Sequence, residues 1–93
     1  MTIPQYVIGT EEYLVAEVTS DVSLTTQVVT VLFNGDTLPA GWIGSAGTTR
    51  SCRTSSVVDF SDVEAGVYEV LVDIVDAPES PILSAGYINV RPA

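Results

Sequence analysis

The fold is decided by residues 62–90, which read D-V-E-A-G-V-Y-E-V-L-V-D-I-V-D-A-P-E-S-P-I-L-S-A-G-Y-I-N-V. Over residues 67–75 the side chains alternate with the period of two that is typical of a half-buried strand. Tyr68, Val70, Val72 and Ile74 share one face, and Glu69 and Asp73 fall on the other. A proline-bounded turn over residues 76–81 and a returning strand over residues 83–90 follow, so the stretch predicts a C-terminal β-hairpin.

The rest of the chain carries strand signals separated by turn residues at intervals of about 8–12 residues, the spacing expected of a β-sandwich. Strands are predicted over residues 3–8, 12–19, 27–33 and 57–60, and Pro4 confines the first of them to a sheet edge. Residues 20–26 are predicted to form a loop, and Asn34-Gly35-Asp36 a tight turn. Residues 44–56 form either a weak edge strand around 48–54 or a long loop. No window combines helical periodicity with caps. The predicted class is all-β, with residues 1–93 forming one domain.

The charge balance is strongly acidic. Twelve Asp and Glu residues oppose three arginines, and with no Lys or His the net charge is -9. Binding to nucleic acid requires clustered Arg or Lys, and anionic membrane surfaces attract basic segments, so neither partner is predicted. The acidity either keeps a small apolar domain soluble and its strand edges unpaired, or complements a basic protein partner.

A single cysteine, Cys52, excludes a disulfide within the domain and a cysteine-built metal site. Secreted domains of this size usually carry disulfides, so folding in a reducing compartment is predicted. The first residues, M-T-I-P-Q-Y, have neither the basic start nor the apolar run of a signal peptide. No stretch approaches the ~20 apolar residues of a membrane span.

The residue types disfavour catalysis. The absence of His and Lys removes the usual general bases and Schiff-base chemistry. Cys52 lies near Arg50 and Arg53 but has no histidine partner, so a buried, unreactive thiol is predicted. Calcium is the one metal considered, at two groups of acids, although solvated loops without metal are the preferred interpretation and no cofactor is predicted. The two groups are Asp59, Asp62 and Glu64, and Asp73, Asp76 and Glu79.

The pattern Asp62-x-x-x-Gly66-x-Tyr68-x-Val70 resembles the corner that precedes strand F in immunoglobulin-type domains. Gly66 supplies a positive φ at the turn, and the Tyr68 hydroxyl is expected to bond the backbone of the preceding connection. Trp42 lies upstream, where strand C of such a domain carries a core tryptophan, and Val70 replaces the second cysteine. The resemblance implies an antiparallel Ig-like or fibronectin-III-like sandwich of about seven strands without a disulfide. The predicted core and corner residues are Trp42, Phe60, Gly66, Tyr68, Val70 and Val72.

The whole chain also resembles small proteins encoded among the structural genes of tailed bacteriophages of actinobacteria. The matching pieces are G-T-E-E-Y at residues 9–13, Pro39 and Trp42, Y-E-V-L-V-D-I at 68–74, D-A-P-E-S-P at 76–81, and G-Y-I-N-V at 86–90. This resemblance implies a virion protein, made in the host cytoplasm, that decorates or stabilises the capsid or belongs to the head-neck region. Its partners would be capsid or connector subunits present in multiple copies.

Contact residues are expected in the loops at the ends of the sandwich, over residues 34–42, 44–56 and 76–81. The candidate interface residues are Asn34, Asp36, Arg50, Arg53, Asp76 and Glu79. The two arginines either pair with neighbouring carboxylates or anchor a partner. Two other functions remain open: a carbohydrate or cell-surface binding module that stacks Trp42 or Tyr87 on a sugar ring, and an acidic partner of a basic protein.

Overall fold

The computed structural model describes residues 4–75 and 81–92, and all regular secondary structure in them is β-strand. The predicted all-β class is therefore confirmed. The strands are β1 (Gln5–Val7), β2 (Glu11–Glu12), β3 (Val15–Leu24), β4 (Val28–Phe33), β5 (Asp36–Ile43), β6 (Gly47–Thr54), β7 (Val58–Asp59), β8 (Gly66–Val75) and β9 (Ile82–Arg91).

Seven of these strands form one continuous sheet in the order β1-β9-β8-β4-β5-β6-β3, and β2 pairs with β7 in a small separate ribbon. The sheet is mixed: β1 runs parallel to β9, whereas every other pair of neighbouring strands in the sheet is antiparallel. A purely antiparallel arrangement was expected. It fails at β1, because this strand lies at the sheet edge beside the last strand of the chain and runs in the same direction.

The sheet curls, so that β3 at one end of the strand order contacts β8 and β9 near the other end. The buried side chains lie inside this curl and form one core. Period-two alternation decides which residues enter it. The core consists of Tyr6, Leu14, Ala16, Val18, Leu24, Val29, Val31, Phe33, Cys52, Phe60, Val63, Val70, Val72, Ile74, Ile88 and Val90. The predicted inward face of residues 70–74 is confirmed, as is the burial of Phe60.

The chain between the first and fourth strands departs from the sequence-based prediction. The strand expected over residues 12–19 is divided at Tyr13 and Leu14, where the chain passes from the small ribbon to the main sheet. The loop expected over residues 20–26 is reduced to residues 25–27, because β3 continues to Leu24, which pairs with Gly47 on β6 after a register shift that follows Thr19. Polar residues suit this ladder: the Thr19 and Thr49 hydroxyls share a hydrogen bond of 2.9 Å across it.

The middle of the chain forms two strands where loops had been considered. Asn34 and Gly35 have φ angles of 51° and 83°. This pair of positive φ angles is typical of a tight hairpin turn, so β5 begins directly at Asp36. Residues 34–42 are therefore mostly strand rather than an end loop. The strand alternative around 48–54 is confirmed by β6, but β6 pairs with β5 on one side and β3 on the other, so it lies inside the sheet and not at an edge.

Aromatic rings close one end of the core around Phe60. The Tyr6 ring stacks on Phe60 with centroids 5.0 Å apart, and Phe33 meets Phe60 and Tyr68 edge-on at 5.9 and 5.4 Å. The Tyr68 hydroxyl donates a 2.6 Å hydrogen bond to the Glu64 carbonyl, so the predicted tyrosine corner is present. The φ of Gly66 is positive, as expected, but at 157° it is close to extended backbone rather than a sharp left-handed turn.

Candidate interaction surfaces

Arg50, a predicted interface residue, holds two turns of the chain together, and we call this set of contacts the Arg50 clamp. Its guanidinium donates to the carbonyl oxygens of Thr25 at 2.7 Å, Leu24 at 3.0 Å and Gly44 at 3.0 Å, and its Nε lies 3.4 Å from the Ile43 carbonyl. The planar fork of an arginine suits several acceptors at once. Arg50 therefore joins the β3–β4 turn to the β5–β6 turn through backbone carbonyl oxygens. Its assignment as an interface residue stays a prediction.

Trp42 belongs to the same clamp. Its indole Nε1 donates a 2.8 Å hydrogen bond to the Gln27 carbonyl, and the Arg50 guanidinium lies over its ring at 5.5 Å from the centroid. The ring is partly buried and packs against the core. Trp42 lies on β5, between β4 and β6 in the sheet. Its correspondence to the tryptophan of an Ig-type strand C stays a prediction.

Of the two arginines in the middle of the chain, Arg53 is the one whose side chain is exposed. Its guanidinium lies 4.6 Å from the centroid of the Tyr13 ring, and both side chains are exposed. Such a contact contributes about 0.5–1 kcal/mol at an exposed site. The stacked pair leaves Arg53 accessible, so its assignment as an interface residue stays a prediction.

Two of the other predicted contact residues, Asn34 and Asp36, are exposed at the β4–β5 turn. Asp76 and Glu79 lie outside the described residues. Nothing in the fold tests these four assignments, and they stay predictions.

Cys52 lies in the core on β6, between the chains of β3 and β5. Its side chain is fully buried, and burial raises the pKa of the thiol to about 11. The neutral thiol therefore predominates at physiological pH. The prediction of a buried cysteine is confirmed, and the nearby arginines do not reach it: they point to carbonyls and to the Tyr13 ring.

The acidic groups considered for calcium are dispersed in the described residues, where no cluster of three potential metal ligands forms. Asp59 accepts hydrogen bonds from the Ser61 hydroxyl at 2.6 Å and the Ser61 amide at 2.9 Å. These two donors, the hydroxyl foremost, hold the pKa of Asp59 below its usual range. The carboxylate thus organises the turn after β7.

One side of the sheet carries an apolar surface that the sequence analysis did not predict. We define the outer sheet face as the side of β4, β8 and β9 that points away from the core. Cross-strand pairing brings Val28 beside Val75, Leu32 beside Leu71, and Ile82 beside Asp73. Val28 is 64% exposed, Ile82 55% and Val75 46%. The signal was present, because Val67, Leu71 and Val75 interrupt the expected polar face of β8.

A cleft of about 350 Å³ opens between the β1–β9 edge and β3. Its lining includes Tyr6, Val15, Glu17 and Tyr87, and Tyr87 is 53% exposed. β3 is the last strand in the sheet order and pairs only with β6 among the described residues. The cleft therefore combines an apolar floor, an acidic rim residue and an exposed aromatic ring.

A scan against protein-family models found no match to this chain, and searches of curated proteins and of solved structures found none either. Within residues 4–75 and 81–92 there is no helix of the length and hydrophobicity needed to cross a membrane.

Proposed function

We propose that this domain is a non-enzymatic structural protein of a tailed-phage virion, which acts by protein–protein assembly through its outer sheet face. The observation that carries the assembly role is the exposure of apolar side chains at neighbouring positions on three adjacent strands. Single exposed hydrophobic residues are ordinary, whereas a contiguous exposed patch marks an interaction surface. The assignment to a virion rests on the resemblance of residues 9–13, 68–81 and 86–90 to phage structural proteins.

We also propose that the fold is an Ig-like sandwich. Three features support this assignment: β9, β8, β4 and β5 are neighbours in the sheet in that order, β3 pairs with β6, and the Tyr68 hydroxyl bonds to the Glu64 carbonyl. One feature differs from that pattern: the pairing of β5 with β6, which joins the strands into one curled sheet.

In this proposal many copies dock on a symmetric lattice or ring, as capsid decoration or as part of the head-neck region. A shallow sheet face suits this role, because weak contacts repeated at many equivalent positions give stable association. The acidic charge keeps the free domain soluble before it is incorporated.

The test is to purify intact particles of the phage that encodes the chain and quantify the protein by mass spectrometry. Hundreds of copies would indicate capsid decoration, and roughly six or twelve would indicate a ring at the neck or tail. Absence from purified particles would contradict the virion assignment.

The outer sheet face is tested by two matched substitutions. I82E introduces a charge on this face, and V22E does the same at Val22, which is 52% exposed on β3. We expect I82E to lower the copy number at least tenfold and V22E to leave it unchanged. Equal incorporation of both variants would rule out this face as the docking surface.

A second candidate is carbohydrate binding at the cleft beside β3, favoured by the exposed Tyr87 ring and the nearby Glu17. Sugars stack on aromatic rings and bond to carboxylates. NMR titration with oligosaccharides of the host cell wall should then shift the Tyr87 amide, and Y87A should abolish the response. The alternative role for Trp42 has less support, because its ring packs on the core and its indole N–H is already bonded.

A further inference from the structure

Asp73 lies at the centre of the most apolar part of the outer sheet face. Its cross-strand neighbours are Thr30 on β4 and Ile82 on β9. Leu71 and Val75 precede and follow it on the same face of β8. Three of its four neighbours on this face, Leu71, Val75 and Ile82, are therefore aliphatic, and the fourth is Thr30.

The Asp73 carboxylate is also incompletely satisfied. Its Oδ1 atom is buried and has no hydrogen-bond donor within the described part of the chain, where no other buried side-chain oxygen or nitrogen shares this condition. An unsatisfied buried acceptor is unfavourable, and such groups are few in native proteins, so this one calls for an explanation. Glu69, on the same face of the same strand, differs: its carboxylate accepts a 3.0 Å hydrogen bond from the Ser84 hydroxyl.

An unpartnered acid among mainly aliphatic neighbours has the chemistry of a docking point for a cation. When a partner covers Val28, Val75 and Ile82, water is excluded and an ion pair formed at Asp73 is stronger than at an open surface. The arginines Arg50 and Arg53 do not compete for it, because their guanidinium groups lie on backbone carbonyls and on the Tyr13 ring.

We propose that the outer sheet face docks a different protein that places an arginine or lysine side chain, flanked by apolar residues, beside the partly exposed Asp73 carboxylate. This inference deepens the proposed assembly function and rests on it. A second copy of the chain is a poor occupant. The net charge is -9, and two-fold pairing of this face brings Asp73 and Glu69 against carboxylates of the same sign.

The test uses benzamidinium chloride, which joins a planar cation to an apolar ring, and neutral benzamide as its isosteric control. The full chain, labelled with ¹⁵N, is titrated with each compound at constant ionic strength and followed by NMR. We expect benzamidinium to bind weakly, in the millimolar range, with shifts concentrated at the amides of Thr30, Asp73 and Ile82. Benzamide should bind at least fivefold more weakly.

Two substitutions that each remove one negative charge complete the test. D73N should weaken benzamidinium binding at least fivefold, and E69Q should change it less than twofold. Thermal melts of both variants verify the fold, and we expect the melting temperature of D73N to equal or exceed that of the wild type. Equal loss in both variants, equal binding of the two compounds, or shifts located elsewhere would overturn the proposal.

The two proposals fail in distinguishable ways. Absence of the protein from particles would reject the virion role, while cation binding at Asp73 would still be decided by the titration. Presence in particles together with a negative titration would reject the cation-docking inference alone.

Discussion

Replacement of Arg50 by alanine gives the sharpest test of the structure, because Arg50 and Arg53 looked equivalent in sequence and have different environments. Arg50 donates to three carbonyl oxygens at 2.7–3.0 Å and lies over the Trp42 ring. Arg53 has only its contact with the exposed Tyr13 ring. R50A and R53A each remove one positive charge, so the change in long-range repulsion within the acidic domain is nearly the same in both.

The expected magnitude follows from these contacts. Hydrogen bonds from a charged donor contribute about 1.5–3 kcal/mol each when buried, and we take about 1 kcal/mol each here because the guanidinium is partly exposed. The ring contact contributes a further ~0.5–1 kcal/mol. About 1 kcal/mol is offset by the side-chain freedom that the arginine loses on folding. R50A should therefore lower the free energy of unfolding by about 2–3 kcal/mol, and R53A by at most ~1 kcal/mol.

The assay is urea denaturation followed by far-UV circular dichroism, since tryptophan fluorescence would respond directly to the loss of the Arg50–Trp42 contact. With a slope of about 1–1.5 kcal/mol per molar urea, typical of a small domain, the R50A midpoint should fall by about 2 M. R50K should lie between the wild type and R50A, because an ammonium retains the charge without the planar fork.

Equal destabilisation by R50A and R53A would refute the clamp. An R50A midpoint equal to that of the wild type would also refute the clamp, and Arg50 would then be a candidate contact residue for a partner.

Four further predictions follow from the core and the turns. Y68F, which removes only the hydroxyl bonded to the Glu64 carbonyl, should cost about 1 kcal/mol in chemical denaturation, and an unchanged midpoint would argue against the tyrosine corner. F60A should cost about 3–5 kcal/mol, measured by thermal melting with F60L as the milder control, because the ring is fully buried between Tyr6 and Phe33; a loss below 1 kcal/mol would contradict that packing. G35A should destabilise the domain by about 1–2 kcal/mol, although its methyl group would meet no neighbour, because the φ of 83° disfavours any side chain; tolerance without cost would mean a different turn. Cys52 binds its proton more tightly in the folded state, where its pKa is about 11, than in the unfolded state, so stability should decline as pH rises above about 8.5. In C52A the decline should begin only at about pH 10, where Tyr6, whose pKa is also raised by burial, starts to lose its proton in the unfolded state.

Much of the fold could be predicted from local pattern. Alternation over residues 67–75 located a strand and its buried face, and the Asn34-Gly35 pair located a hairpin turn. Both succeed because they depend on backbone angles and side-chain direction within a few residues. The 44–56 segment could not be assigned to strand or loop, because its small polar residues carry no alternation. Its place inside the sheet depends on the ladder to β3, which is distant in sequence.

The candidate surfaces were less predictable. The role of Arg50 depends on carbonyls brought together from residues 24–25 and 43–44, and sequence proximity to Cys52 and Arg53 pointed elsewhere. The sequence did not predict the outer sheet face, because Val28, Val75 and Ile82 lie on three different strands. Their adjacency exists only once the strand register is fixed.

Four features could be predicted from the amino-acid sequence: the all-β class, the buried side of the C-terminal hairpin, the tyrosine corner, and a single cysteine that forms no disulfide within the domain. Each follows from local periodicity, from a motif within seven residues, or from a count. The tertiary structure alone decided that β6 lies inside the sheet, that Arg50 serves the fold, and that Asp73 lies among exposed aliphatic side chains. These outcomes depend on which distant strands become neighbours, and long-range pairing is set by the packing of the whole core.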